Sequence, residues 1–93
     1  MWFRRMAFTG TADTFSIAVE KGQRIFATCY TTNVRMANFE QDLADGLQHF
    51  VIPCDTANKS GILDFVVDDT MMLYFTPDSN NASVLTIMVL QND

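Results

Sequence analysis

Met71-Met72-Leu73-Tyr74-Phe75 and Val84-Leu85-Thr86-Ile87-Met88-Val89-Leu90 decide how this chain must fold. Both are short apolar runs rich in strand-forming residues. A strand with one face in water alternates apolar and polar residues, and neither run does so. Both therefore read as strands covered on two faces. One helix can cover only part of one face of a sheet. The second cover must come from the sheet curling into a barrel- or sandwich-like core, or from another chain.

Working back from these strands, Thr76-Pro77-Asp78-Ser79-Asn80-Asn81 between them is a turn, with proline fixing φ at its start. Ile62 to Val67 reads as a strand, followed by a reversal at Asp68-Asp69-Thr70. Asp55 to Gly61 is a loop of turn residues. Phe50 to Cys54 contains Pro53, which cannot donate to a ladder and so marks an edge strand or a bulge.

The middle of the chain changes period. Met36, Phe39, Leu43, Leu47 and Phe50 fall at spacings of three and four, the stripe of an amphipathic helix. Asn38 followed by Gln41 resembles a capping box, and Glu40 and Asp42 sit where a helix N-terminus favours carboxylates. This predicts a helix ending near Gln48 or His49. Nearer the N-terminus, residues 2–8 form a first strand and Gly10 to Asp13 a turn. Phe15, Ile17 and Val19 alternate with Ser16, Ala18 and Glu20, a strand with one apolar face. Lys21-Gly22-Gln23 then reads as a hairpin turn, with Ile25 to Thr31 returning as the partner strand. The expected fold is a single α+β domain over residues 1–93. Its elements run βββαββββ, an antiparallel sheet with one amphipathic helix packed on it.

Ninety-three residues suit one domain. A chain this short buries about 60–65% of its unfolded surface, yet 48% of its residues are hydrophobic. The excess calls for a tight core or a face covered by another subunit. No run reaches the ~20 apolar residues of a spanning helix. Met1 to Met6 holds Arg4 and Arg5 with no apolar stretch after them, so no secretory signal is expected. Two cysteines make no disulfide framework, and a cytoplasmic location is expected.

The net charge of −5 is unevenly spread. Residues 1–35 carry five basic and two acidic side chains, and residues 36–93 one basic and nine acidic. Such a distribution argues against nucleic-acid binding through a broad basic surface. It suits an acidic face that docks on a basic partner protein. Glu40, Asp42, Asp45 and Gln48 on the expected helix, and Asp64, Asp68 and Asp69 at the following strand and turn, are the candidate interaction residues. Asp64 and Asp68 could share a proton or a divalent cation, although Asp68-Asp69 is also ordinary turn chemistry.

Catalysis finds little footing. His49, Cys29 and Cys54 fall at no zinc spacing and beside no glycine-rich oxyanion turn. Gly10, Gly22, Gly46 and Gly61 are too scattered to cradle a phosphate. No enzyme activity, cofactor or metal is expected. The expected function is a non-enzymatic protein-binding domain, of the kind that serves as an inhibitor or immunity factor. Two alternatives stand beside it: a structural subunit that self-assembles through a doubly apolar sheet, and a small-ligand-binding domain.

Overall fold

The computed structural model describes residues 2–10, 13–30, 32–41, 50–52, 62–77 and 82–90. Eight strands occupy most of them: β1 (Trp2–Phe8), β2 (Phe15–Val19), β3 (Arg24–Tyr30), β4 (Val34–Ala37), β5 (Phe50–Ile52), β6 (Ile62–Val66), β7 (Met71–Pro77) and β8 (Ser83–Leu90). They form two four-stranded sheets, β1-β8-β3-β6 and β2-β7-β4-β5, with every pairing antiparallel.

The topology follows from one nested pattern. β4 pairs with β5, β3 with β6, β2 with β7 and β1 with β8, so the chain is one long hairpin with the β4–β5 connection at its tip. Rolling that hairpin lays β8 beside β3 and β7 beside β4. Two four-stranded sheets in this order are the jelly-roll arrangement.

The α+β expectation of one sheet with a helix packed on it is therefore corrected: the described residues form a sandwich of two antiparallel sheets. Among the described residues only Glu40 and Gln41 are helical, and β4 and β5 stand at the two ends of the expected helical stripe. Met36 and Phe50, its first and last members, are direct cross-strand partners. A helix of that span would hold them about 21 Å apart at 1.5 Å per residue. Antiparallel partners sit only about 5 Å apart. Leu43 and Leu47 lie outside the described residues. A second correction concerns the Gly22 turn. β2 and β3 do not pair; the turn carries the chain from one sheet to the other.

That turn is held tightly. Gly22 has φ of 92°, a region closed to most residues by the clash of Cβ with the backbone. Its N–H donates to Val67 O at 2.8 Å, and Val67 N–H donates to Gln23 O at 2.8 Å. Gln23 is buried, and its Oε1 accepts from Glu20 N–H at 2.7 Å. The corner between β1 and β2 is tied by Asp13, whose Oδ2 accepts from both the N–H and the hydroxyl of Thr9 at 2.6 Å. Ser83 Oγ lies 2.7 Å from Thr32 O and 3.1 Å from Tyr30 O, sharing one proton between them, and so pins the start of β8 to the end of β3.

The core lies between the sheets. Met6 and Phe8 of β1, Ile25, Ala27 and Cys29 of β3, and Leu85, Ile87 and Val89 of β8 face Ile17, Val19, Val34, Met36, Ile52, Leu73 and Phe75 of the second sheet. Strand alternation sends these side chains inward and their neighbours outward. The apolar composition of β8 thus resolves into an inner row, Leu85, Ile87 and Val89, and an outer row, Val84, Thr86, Met88 and Leu90.

Candidate interaction surface

The outward row of β8 makes the external face of the β1-β8-β3-β6 sheet unusual. Register places Phe3, Met88, Phe26 and Asp64 in one line across the four strands. The next line toward one strand end holds Leu90, Arg24 and Val66, and the lines toward the other hold Arg5, Thr86 and Thr28, then Ala7, Val84 and Tyr30. Phe3 is 64% exposed and Val66 61%, while Met88 and Phe26 between them are half-buried by their neighbours. A cleft of about 210 Å³ opens here, lined by Phe3, Phe26, Ala27, Thr28, Thr86 and Met88. Apolar side chains presented to water in a contiguous block are the usual mark of a surface that meets another molecule. The external face of the second sheet carries Ser16 and Arg35 among its Met72, Tyr74 and Val51.

Charge frames the apolar block. At the β1 edge, Arg5 faces outward, and the Arg4 guanidinium lies 5.4 Å from the Trp2 ring centroid. At the opposite edge, Asp64 accepts from Arg24 Nε at 3.0 Å and from Arg24 Nη2 at 2.9 Å, a two-pronged ion pair between neighbouring strands. The Arg24 guanidinium also lies over the Phe26 ring, 4.7 Å from its centroid. Hydrogen bonding to Arg24 holds the Asp64 carboxyl below its ordinary value, and the same bond raises the guanidinium.

The candidate residues read from the sequence fall in different places. Asp64 is on the outer face of β6, engaged by Arg24. Asp68 and Asp69 lie beyond the end of β6 and are exposed, and Asp69 Oδ1 accepts from Thr70 N–H at 2.8 Å. Glu40 is exposed after β4. Asp42, Asp45 and Gln48 lie outside the described residues, as do His49 and Cys54. Asp68 also lines a second cleft, of about 480 Å³, with Met36, Asn38, Phe50, Phe65, Val66 and Met71. Among the described residues no three histidine, cysteine or acidic side chains converge as metal ligands would. Cys29 is buried, and its thiol donates to Ile52 O at 3.2 Å.

Sequence reasoning missed Phe3, Phe26 and Met88 as surface residues. The signal was present in β8, whose failure to alternate calls for a second cover. β1 hid its share because Trp2, Phe3, Met6 and Phe8 alternate poorly and Arg4 falls on the inward parity. No helix among the described residues is long and apolar enough to cross a membrane. Compared with known proteins, the chain matches no family model, no curated protein and no solved structure.

Proposed function

We propose that this chain is a non-enzymatic structural domain that works by assembly, through the outer face of the β1-β8-β3-β6 sheet. The observation that carries this reading is the apolar line of Phe3, Met88 and Phe26 with its cleft, standing in water on a sheet whose other face already has a full core. A catalytic or ligand site would add a few precisely placed polar groups to such an apolar lining. This surface offers hydrocarbon at its centre and charge at its rim, the anatomy of a protein–protein interface. Cytoplasmic residence belongs to the same reading and is supported by sparse cysteine usage.

The test is the size of the tagged chain in a lysate of its host cell. The wild type should run well above the size of a monomer, and Met88→Glu, which puts a charge at the centre of the face, should run as a monomer. A wild type that runs as a monomer overturns the reading.

A further inference from the structure

We infer that the second cleft, at the side of the sandwich where the edge strands β5 and β6 meet, binds a small primary ammonium ion carried on an apolar body. This site is separate from the outer sheet face, and it stands or falls independently of the assembly reading. Three features select an amine over other ligands.

The first is a pair of inward rings that the core does not enclose. Phe50 pairs with Met36 and shares its strand face with Ile52, so its parity is inward. Met36 and Ile52 are buried, yet Phe50 is 67% exposed. Phe65 of β6 pairs with the buried Ile25, is inward on the other sheet, and is only partly buried. Met71 pairs with the buried Val19 and is inward too. Strand alternation thus turns two rings and two thioethers toward a cleft of about 480 Å³. That volume falls within the roughly 300–1,000 Å³ of small-molecule sites.

The second is charge. Asp68 and Asn38 are the polar side chains among the lining residues. Asp69 acts as a turn residue, its Oδ1 accepting from Thr70 N–H. Asp68 does not: it makes no hydrogen bond or ion pair with a described residue. Lys21 makes no ion pair with it, although the Gly22 turn beside Lys21 is bonded to Val67. The described lining therefore carries one negative charge and no positive one. An anion would be repelled here, the more so by a chain of net charge −5.

The third is how the two combine. The face of an aromatic ring attracts a cation within about 6 Å of its centroid, and thioethers adapt to whatever shape lies against them. A carboxylate accepts charge-assisted hydrogen bonds from an ammonium, and the Asn38 amide oxygen can accept another. A bare metal ion would need more ligands than one carboxylate, and no three histidine, cysteine or acidic side chains converge among the described residues. A neutral hydrocarbon would use the rings and leave Asp68 unanswered. An ammonium on a phenyl or alkyl body uses both.

Titration of the purified chain with phenylbutylammonium, followed by nuclear magnetic resonance of isotope-labelled methionine methyls, tests the inference. Phenylbutanol, its neutral counterpart, is the comparison. The Met36 and Met71 signals should shift and saturate with a Kd of about 0.1–1 mM, while those of Met6 and Met88 stay in place. The alcohol should bind about tenfold more weakly. Asp68→Asn should bring the amine down to the affinity of the alcohol. Phe50→Leu, which keeps hydrocarbon and removes the ring, should weaken the amine about three- to tenfold. Met88→Glu should leave binding unchanged, so that loss of assembly and loss of the ligand are read apart. Equal affinity for amine and alcohol overturns the inference, and so does a shift confined to Met88 or the lack of any shift at about 10 mM. The comparison of the two probes on the wild type needs no variant, so a variant that fails to fold does not shelter the inference.

Discussion

At the scale of single residues, two positions carry measurable consequences. Gly22 holds φ of 92° at the crossing between sheets, and its N–H is engaged by Val67 O. Alanine there meets the steric cost of a left-handed backbone without losing the hydrogen bond, so Gly22→Ala should lower stability by about 1–2 kcal/mol in urea unfolding. A variant as stable as the wild type would mean that the turn relaxes to another φ. Asp64 and Asp13 carry the acid response. Hydrogen bonds from Arg24 hold the Asp64 carboxyl below its ordinary value of 3.8, and hydrogen bonds from Thr9 do the same for Asp13. A carboxyl depressed in the folded state contributes stability that is fully present above its unfolded value and is lost as pH falls through its folded value. The melting temperature should therefore change little between about pH 7 and 5 and fall below about pH 4. Asp64→Asn should lower it at neutral pH and make the acid limb shallower. An Asp64→Asn curve parallel to the wild type throughout would remove Asp64 from the account.

At the scale of elements, β8 divides the molecule into an inside and an outside. Ile87 is fully buried between the sheets, and Thr86 beside it faces outward. Ile87→Ala should cost about 2–5 kcal/mol through lost burial and the cavity left behind. Thr86→Ala in the dissociated chain should stay within about 0.5 kcal/mol. Equal losses from the two, read from denaturant midpoints, would contradict the assignment of faces. The long strands were legible because their composition spans enough residues to show itself. The alternation of Phe15 to Val19 and the doubly apolar Val84 to Leu90 both lie in strands where the sequence puts them. β4 and β5 were not legible, since four and three residues are too few to declare a period of two. Met36 of β4 and Phe50 of β5 fell in line with Phe39, Leu43 and Leu47 at a helical spacing, so two strand residues were read into a helix. Pairing was equally hidden. The Gly22 turn reads as a hairpin from its chemistry, but only the whole sandwich decides that β2 finds β7 and β3 finds β8 and β6. The site shows the same limit. The carboxylates drew notice as charges, while the Arg24 that engages Asp64 lies 40 residues away in sequence. Nothing local marked Phe26 or Phe3 as facing outward.

At the scale of the whole molecule, the nested topology orders the folding. Met36 and Phe50 pair across 14 residues, Thr28 and Ile62 across 34, Val19 and Met71 across 52, and Trp2 and Val89 across 87. Closing the outermost pair first would cost about 1.6 kcal/mol more entropy than closing the innermost, from the logarithm of the loop lengths. Once β4 and β5 have met, each further pair closes only the short segments added on either side. The hairpin therefore zips from its tip, and the β1–β8 pair completes the first sheet last. Folding dominated by such distant pairings should take milliseconds to seconds. Val34 in β4 and Met6 in β1 are both buried, so alanine at either destabilises the native state. Their kinetic signatures should differ. Val34→Ala should slow folding, because its contacts exist in the transition state. Met6→Ala should leave folding nearly unchanged and speed unfolding, by about thirtyfold for a 2 kcal/mol loss. Stopped-flow chevrons in the Met88→Glu background, where association does not enter, make the comparison. Slowing of folding by Met6→Ala equal to that by Val34→Ala would mean that the ends of the chain meet early, and that sheet closure rather than the hairpin tip organises the fold.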